Sequence, residues 1–161
     1  MIDISMQGAT LTFSAAGLQG NVVMEFSDEG TPIDFPDLET CGYSMTMNGE
    51  LVTWTKPTPI TFRVTVIPGS KSDVALRNVL YAGHVGGKKG KAINQSFVYI
   101  ASATLTVPQM GLNTNGVVGQ GAKRNFTFHN GRLTGGNPAI SSNAEGKMTA
   151  RTYNFVFESV S

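Results

Sequence analysis

Residues 60–67 read Ile-Thr-Phe-Arg-Val-Thr-Val-Ile and lead through Pro68-Gly69-Ser70 into a run that ends at Ala82. Successive side chains of a strand point to opposite faces, so apolar residues at every second position indicate a strand with one buried face. The alternating apolar positions are Ile60, Phe62, Val64 and Val66. We therefore predict a strand over 60–66.

The run after this strand has the period of a helix. Ser70 or Ser72 can accept hydrogen bonds from the free N–H groups of a first turn, and Asp73 then lies near the positive end of the helix dipole. Gly83 is a suitable C-terminal stop. The residues that share one apolar face are Ala75, Leu76, Val79 and Leu80. We predict one short helix over about 72–82, which depends on packing against the sheet because three turns are marginal alone.

The alternating pattern recurs at 9–13, 22–26, 97–107 and 153–157. Asn48-Gly49 and Asn130-Gly131 each separate two such runs, and a type I′ turn needs the positive φ that Asn and Gly tolerate. We therefore predict two hairpin tips there. A length of 161 residues fits one domain. The predicted fold is a single domain, 1–161, that is mainly β: an antiparallel β-sandwich or barrel with one packed helix.

The formal net charge of +1 hides a division along the chain. Residues 1–50 contain eight Asp and Glu and no Lys or Arg, whereas residues 51–161 contain all 12 Lys and Arg and three acids. The first part therefore carries −8 and the second +9. If the fold keeps the two parts apart, the resulting poles favour head-to-tail contacts between copies. If strands of the two parts mix, the charges neutralise within one chain.

The sequence lacks the residues that several kinds of functional site require. The basic loop 86–91 departs from a phosphate-binding P-loop, since Ala92 stands where that motif has Ser or Thr. His84 and His129 have no partner at ligand spacing, and the single Cys41 can form neither an intrachain disulfide nor a cysteine-based zinc site. No Gly-x-Ser-x-Gly nucleophile elbow is present. We therefore predict no catalytic, cofactor-binding or metal-binding residues, no cofactor, and that the protein is not an enzyme.

The apolar runs are short. None approaches the roughly 18–20 residues of a membrane-spanning helix, and the first five residues lack the basic and apolar regions of a secretion signal. We therefore expect no membrane anchor. Because the sequence has a single cysteine, we also expect the protein to fold in a reducing compartment.

The first predicted hairpin carries more apolar surface than two strands can bury alone. It either packs on its own domain or projects and is buried by a neighbour, and Trp, Tyr and Met are enriched in interface cores. The basic loop is either solvated or an electrostatic contact with an acidic neighbour or a nucleic-acid backbone. The candidate subunit-interface residues are Tyr43, Met45, Met47, Asn48, Trp54, Lys88, Lys89 and Lys91.

The order of these elements resembles that of the tail tube proteins of long-tailed bacteriophages, especially contractile-tailed ones, which share a fold with the secretion-tube proteins of type VI systems. The resembling parts are Val22-Val-Met-Glu-Phe26, the hairpin around Asn48-Gly49, the strand and helix of 60–82, and the late strands that end near 153–157. The resemblance implies a structural tail tube subunit. Its homohexameric rings would join their sheets into an inner barrel and stack into a tube, through which DNA passes without being read.

The same resemblance implies a place in the virion tail after assembly in the host cytoplasm, with sheath and baseplate proteins as further partners. It places the 88–91 loop at a ring interface or on the outside, because a basic lining would hold DNA phosphates. Two alternatives stay open. One is a baseplate or tail-terminating protein with a tube-like fold, and the other is a carbohydrate- or ligand-binding β-sandwich that stacks its ligand on Trp54 and Tyr43.

Overall fold

A computed structural model of the chain describes residues 9–15, 20–23, 32–84, 98–107 and 124–161. Within these ranges one helix, α1 (Lys71–Ala82), accompanies nine strands. The strands are β1 (Thr10–Ala15), β2 (Gly20–Val23), β3 (Ile33–Asp34), β4 (Cys41–Met45), β5 (Leu51–Thr55), β6 (Ile60–Val66), β7 (Tyr99–Val107), β8 (Arg124–Gly136) and β9 (Arg151–Val160).

The strands form two sheets in which every pairing is antiparallel. Seven strands lie in the order β2-β1-β7-β8-β9-β6-β3, and β4 pairs only with β5 in a separate hairpin. The strands predicted at 9–13, 60–66 and 153–157 are confirmed. Those predicted at 22–26 and 97–107 are confirmed at Val22, Val23 and 99–107, while 24–26 and 97 lie outside the described residues.

The large sheet curls strongly around its apolar face. The rings of Phe13 in β1 and Phe155 in β9 stack with their centroids 4.9 Å apart, although β7 and β8 lie between these strands. In a flat sheet, three strand spacings would separate them by about 14 Å. The result is a curled antiparallel half-barrel with a single helix, which confirms the mainly-β prediction.

Phenylalanine rings fill the middle of the curl. The buried Phe62 of β6 has four ring neighbours whose centroids lie 5.1 to 5.5 Å from its own. They are Phe35, Phe128, Phe155 and Phe157. Such pairs add roughly 0.5–1.5 kcal/mol each beyond the area that they bury. The strands are therefore held together by rings that converge from four parts of the chain.

Helix α1 closes the half-barrel on this apolar face. Ser70 caps it, since the Asp73 amide donates to Ser70 Oγ at 3.2 Å. Leu76 and Val79 are buried in the core, and the two other apolar residues of the predicted face pack against it. The prediction of one capped helix that packs on the sheet is confirmed.

The prediction of a second hairpin at Asn130-Gly131 is wrong. Both residues lie inside the continuous strand β8, where Asn130 alone among the described non-glycine residues has a positive φ, of 52°. A Cβ atom on Gly131 would lie 2.4 Å from Cδ1 of Phe157, so glycine permits close packing here rather than a turn. The Asn130 amide group bridges neighbouring strands: its oxygen accepts from the Tyr99 hydroxyl, and its nitrogen donates to Glu158 at 3.2 Å.

A buried polar cluster joins α1 to β9. Asp73 is 1% exposed, and its carboxylate accepts from the Gly69 amide at 2.9 Å and from the Tyr153 hydroxyl at 2.7 Å. Arg151, also 1% exposed, lies with Nε 3.2 Å from Asp73 Oδ1, and its Nη2 donates to the carbonyl of Asn137 at 2.6 Å. The sequence pattern places Asp73 at the positive end of the helix dipole but gives no sign of its buried partners, Tyr153 and Arg151. The cluster holds the helix, β9 and the segment after β8 in one arrangement.

Breaking this ion pair from one side is expected to be costly. Asp73→Asn leaves the buried Arg151 without its counter-charge, and Arg151→Met leaves the buried Asp73 carboxylate unpaired, so each lowers the free energy of unfolding by about 3–5 kcal/mol. The double variant removes both charges and should cost clearly less than the sum. Urea denaturation of the four proteins measures the cycle. Additive costs would contradict the energetic coupling.

Tyr153 should make the protein sensitive to alkali. Burial raises the pKa of its phenol far above the ordinary value of about 10, and the hydrogen bond to Asp73 and the negative charge of Asp73 raise it further. Above about pH 10 the unfolded chain loses a proton that the folded chain keeps, so the free energy of unfolding falls by up to about 1.4 kcal/mol per pH unit. Denaturation from about pH 9 to about 11 measures this slope. Tyr153→Phe should reduce it, and an equal slope in both proteins would refute the assignment.

Candidate functional site

The hairpin of β4 and β5 has its tip where the sequence predicts it. The strands pair from Cys41 opposite Thr55 to Met45 opposite Leu51, and the Gly49 amide donates to the Thr46 carbonyl at 3.0 Å. The predicted type I′ turn is wrong, because Gly49 has a positive φ of 84° but Asn48 does not. A four-residue turn that ends in a left-handed glycine is the alternative found in longer hairpin loops.

The hairpin projects from the half-barrel and exposes its apolar side chains. Its exposed fractions are 74% for Tyr43, 64% for Met45, 106% for Met47 and 53% for Trp54, and Asn48 is exposed at the tip. None of the described residues buries these side chains. Within the described part of the chain, the hairpin therefore does not pack on its own domain. The structure brings these five predicted interface residues together on one element.

Two further apolar residues belong to the same surface and were missed from the sequence. Leu51 is 63% exposed and Val52 is 45% exposed. Leu51 lies directly opposite Met45, and Val52 opposite Ser44, so the two residues are on different faces of the hairpin. Residues 51–55 indicate a strand, but nothing in their pattern shows that Leu51 and Val52 are exposed rather than buried. Both faces of the hairpin are therefore apolar, as in an element buried on two sides.

Trp54 has a fixed place on this surface. It lies opposite Gly42, and a Cβ atom on Gly42 would come within 2.3 Å of the indole ring. The glycine lets the indole lie flat against the strand, with about half of its surface left to solvent. A large aromatic ring held in this way is a suitable centre for a protein interface.

Ion pairs at the base of the hairpin bear on the charge division. Lys56 Nζ lies 2.7 Å from Glu39 Oε2, an exposed pair whose mutual hydrogen bond and charge lower the pKa of Glu39 and raise the pKa of Lys56. Arg63 pairs likewise with Asp34 across the β6–β3 ladder. At both places an acid of the first part is neutralised by a cation of the second, so the expectation of two separate poles fails there.

Other charges stay uncompensated. Among the residues that the structure describes, Asp37 and Glu50 take part in no ion pair, and both are exposed on the hairpin or the segment that leads into it. The predicted interface lysines Lys88, Lys89 and Lys91 lie outside the described residues. Their placement therefore stays a prediction.

The face of the large sheet that points away from the core is rich in hydroxyl groups. Three rows cross β1, β7 and β8 by direct pairing: Thr10, Thr106 and Asn125; Thr12, Thr104 and Thr127; and Ser14, Ser102 and His129. Asn125 is exposed and the other eight residues are partly exposed. None of the nine carries a fixed charge. We call these three rows the hydroxyl face.

A cleft of about 420 Å³ lies between the end of α1 and β8, with His84, Arg132 and Thr134 as its polar lining residues. These three side chains do not combine a nucleophile with a carboxylate-oriented base. In the described part of the chain, no group of three or more His, Cys, Asp and Glu residues could hold a metal ion. Over the same residues, no helix has the length and apolarity that crossing a bilayer requires.

Comparisons with known proteins place the chain in a family. A family described as "Tail fiber protein gp32" matches residues 2–126. No curated protein matches the sequence significantly. Two solved structures are similar at 12% identity: a double mutant of the Hcp1 protein from the E. coli EAEC 042 pathovar, and an Hcp protein. Each covers 94% of this chain, with 87% and 89% of the other chain covered and TM-scores of 0.40 and 0.46.

The Hcp resemblance has no bearing on assembly or function at this identity and these TM-scores. The family match is different in kind, because it spans more than half of the chain. It confirms the sequence-based identification of a bacteriophage tail-related protein, and the finer assignment to a tail tube stays a prediction. The chain belongs to the tail fiber protein gp32 family of phage tail proteins.

Proposed function

We propose that the protein is a structural subunit of a bacteriophage tail tube that self-assembles into stacked rings. The observation that carries the proposal is the projecting hairpin, which exposes six large apolar side chains on two faces. Soluble monomers rarely leave such a contiguous apolar surface in water. The hairpin therefore gains most by burial against another protein, and the simplest partner in a repetitive tail is a second copy.

The edges of the large sheet support ring formation. Strand β3 covers β6 only at Val64 and Arg63, and Pro36 follows two residues after β3, so the rest of this edge is left without a paired strand among the described residues. Unpaired edges invite strand pairing between chains. In the proposed ring, neighbouring sheets join at their edges into a closed barrel, and the tail-tube resemblance implies six copies.

The hydroxyl face suits a channel through which DNA slides. Its rows present hydroxyl, amide and imidazole groups and no fixed charge, and Arg63 farther along the same sheet is neutralised by Asp34. Because lysine and arginine contacts to phosphates dominate DNA affinity, the nine uncharged residues of these rows favour the passage of DNA over its retention. The proposed role is structural, with no catalytic step, no cofactor and no sequence-specific DNA contact.

Further partners and location follow from this role. The tube would assemble in the host cytoplasm, contact sheath and baseplate proteins, and remain in the virion tail. A second structural role, as a baseplate or tail-terminating protein, is favoured by the family's description as a tail fiber protein. Antibody labelling of intact virions separates the two: label along the whole tail supports the tube, and label at one end supports the second role.

Assembly is expected to depend on Trp54. Electron microscopy and sedimentation of the purified protein should show rings or tubes of uniform diameter. Trp54→Ala removes the ring that lies on Gly42 and should weaken association by at least about 30-fold, as at interface hot spots. Raising the salt concentration should weaken it less, because apolar contacts are not screened. A wild-type protein that stays monomeric at high concentration would eliminate the proposal.

The uncharged lining should be necessary for free passage of DNA. Thr104→Lys puts a cation in the middle row of the hydroxyl face, so assembled tubes of this variant should retain double-stranded DNA in a salt-dependent way. The control is Glu145→Lys. Glu145 lies in an exposed turn after β8, and its replacement by lysine changes the net charge more than Thr104→Lys does. DNA retention by the control alone, or by neither variant, would contradict the assignment of the hydroxyl face to the channel.

A further inference from the structure

The outward face of α1 combines apolar side chains with positive charge. Val74 is 39% exposed and Tyr81 is 50% exposed, and the two lie about two turns apart on the same side of the helix. Lys71, which is exposed, and Arg77, which is partly exposed, flank them. The helix has one acid, Asp73, and its carboxylate is turned into the core. We call Lys71, Val74, Arg77 and Tyr81 the helix face.

The chain after β8 extends this apolar surface. The Tyr81 hydroxyl donates to the Pro138 carbonyl, which holds the segment beside the helix. Ile140, two residues farther on, is 54% exposed. The helix face is therefore part of a wider apolar surface with a basic border.

The projecting hairpin has the complementary chemistry. Residues 35–55 contain three acids and no Lys or Arg. Glu39 is engaged by Lys56, whereas Asp37 and Glu50 have no ion-pair partner among the described residues. Glu50 directly follows the hairpin turn, next to the exposed Leu51. The hairpin is thus an apolar surface with an acidic border.

We propose that the hairpin of one copy docks on the helix face of the next copy, with Glu50 near Arg77 and Lys71. Both halves of the contact exist on every chain, and they match in charge and in apolar character, so the partner is a second copy rather than a different protein. Two different surfaces meet, which makes the contact head-to-tail and able to continue along a ring or a stack. The proposal rests on the proposed self-assembly and names the surfaces that perform it.

Charge reversal at the two surfaces tests the pairing. Glu50→Lys and Arg77→Glu should each weaken self-association about tenfold at low ionic strength, because an attraction between exposed groups becomes a repulsion. An equimolar mixture of the two variants should recover association. In the mixture, the introduced lysine of one copy faces the introduced glutamate of the next, and the following contact keeps the native pair. Sedimentation velocity over a series of concentrations measures all three samples.

Two controls keep the test decisive. Glu158→Lys is a charge reversal of the same size at an exposed strand end outside both surfaces, and it should leave association unchanged. Lys71→Glu replaces Arg77→Glu as the helix variant if the partly exposed Arg77 proves necessary for folding. A wild-type protein that assembles while both reversals have no effect, or a mixture that fails to recover, overturns this contact but leaves the tube proposal intact. A wild-type protein that never associates overturns both.

Discussion

The carboxylate of Asp73 is the point on which the arrangement of helix and sheet depends. It accepts from the loop before α1 through the Gly69 amide, from β9 through the Tyr153 hydroxyl, and lies in ion-pair contact with Arg151. Arg151 in turn donates to the carbonyl of Asn137. A buried charge is tolerated only when such partners surround it. Because all of them must be in place together, α1 has one position over the curled sheet, and its outward face has one orientation.

The protein has a part whose apolar side chains are buried within the chain and a part whose apolar side chains are left exposed. Phenylalanine rings around Phe62 and the apolar side of α1 fill the half-barrel. The hairpin of β4 and β5 contributes nothing to that core, and Trp54 and Tyr43 remain largely in contact with solvent. Two strands cannot bury two apolar faces by themselves. The fold thus leaves one element whose stability is expected to depend on a neighbouring molecule, which suits a subunit of a repetitive assembly.

Local sequence patterns identified most of the strands and the helix, but few of the contacts between residues that are distant in the chain. Alternation predicted β6 and the helical period predicted α1, because both periods follow directly from backbone geometry. Asn48-Gly49 marked a true turn, whereas Asn130-Gly131 marked a close approach to Phe157 within a strand. The two dipeptides are identical, so the difference comes from residues that pack on them from elsewhere in the chain. Leu51 and Val52 were missed as surface residues because a half-buried strand and a fully exposed one have the same alternation.

The sequence by itself determined the antiparallel β class, the capped helix, the first hairpin and the lack of familiar catalytic motifs, since each is set by neighbours within a few residues. It also determined the family, through residues spread over 2–126. Only the tertiary structure decided that the hairpin projects, that hydroxyl residues of three strands align in rows, and that Asp73 meets a partner 78 residues away in Arg151. Those outcomes depend on which strands become neighbours, and strand order is settled by the packing of the whole core rather than by any local pattern.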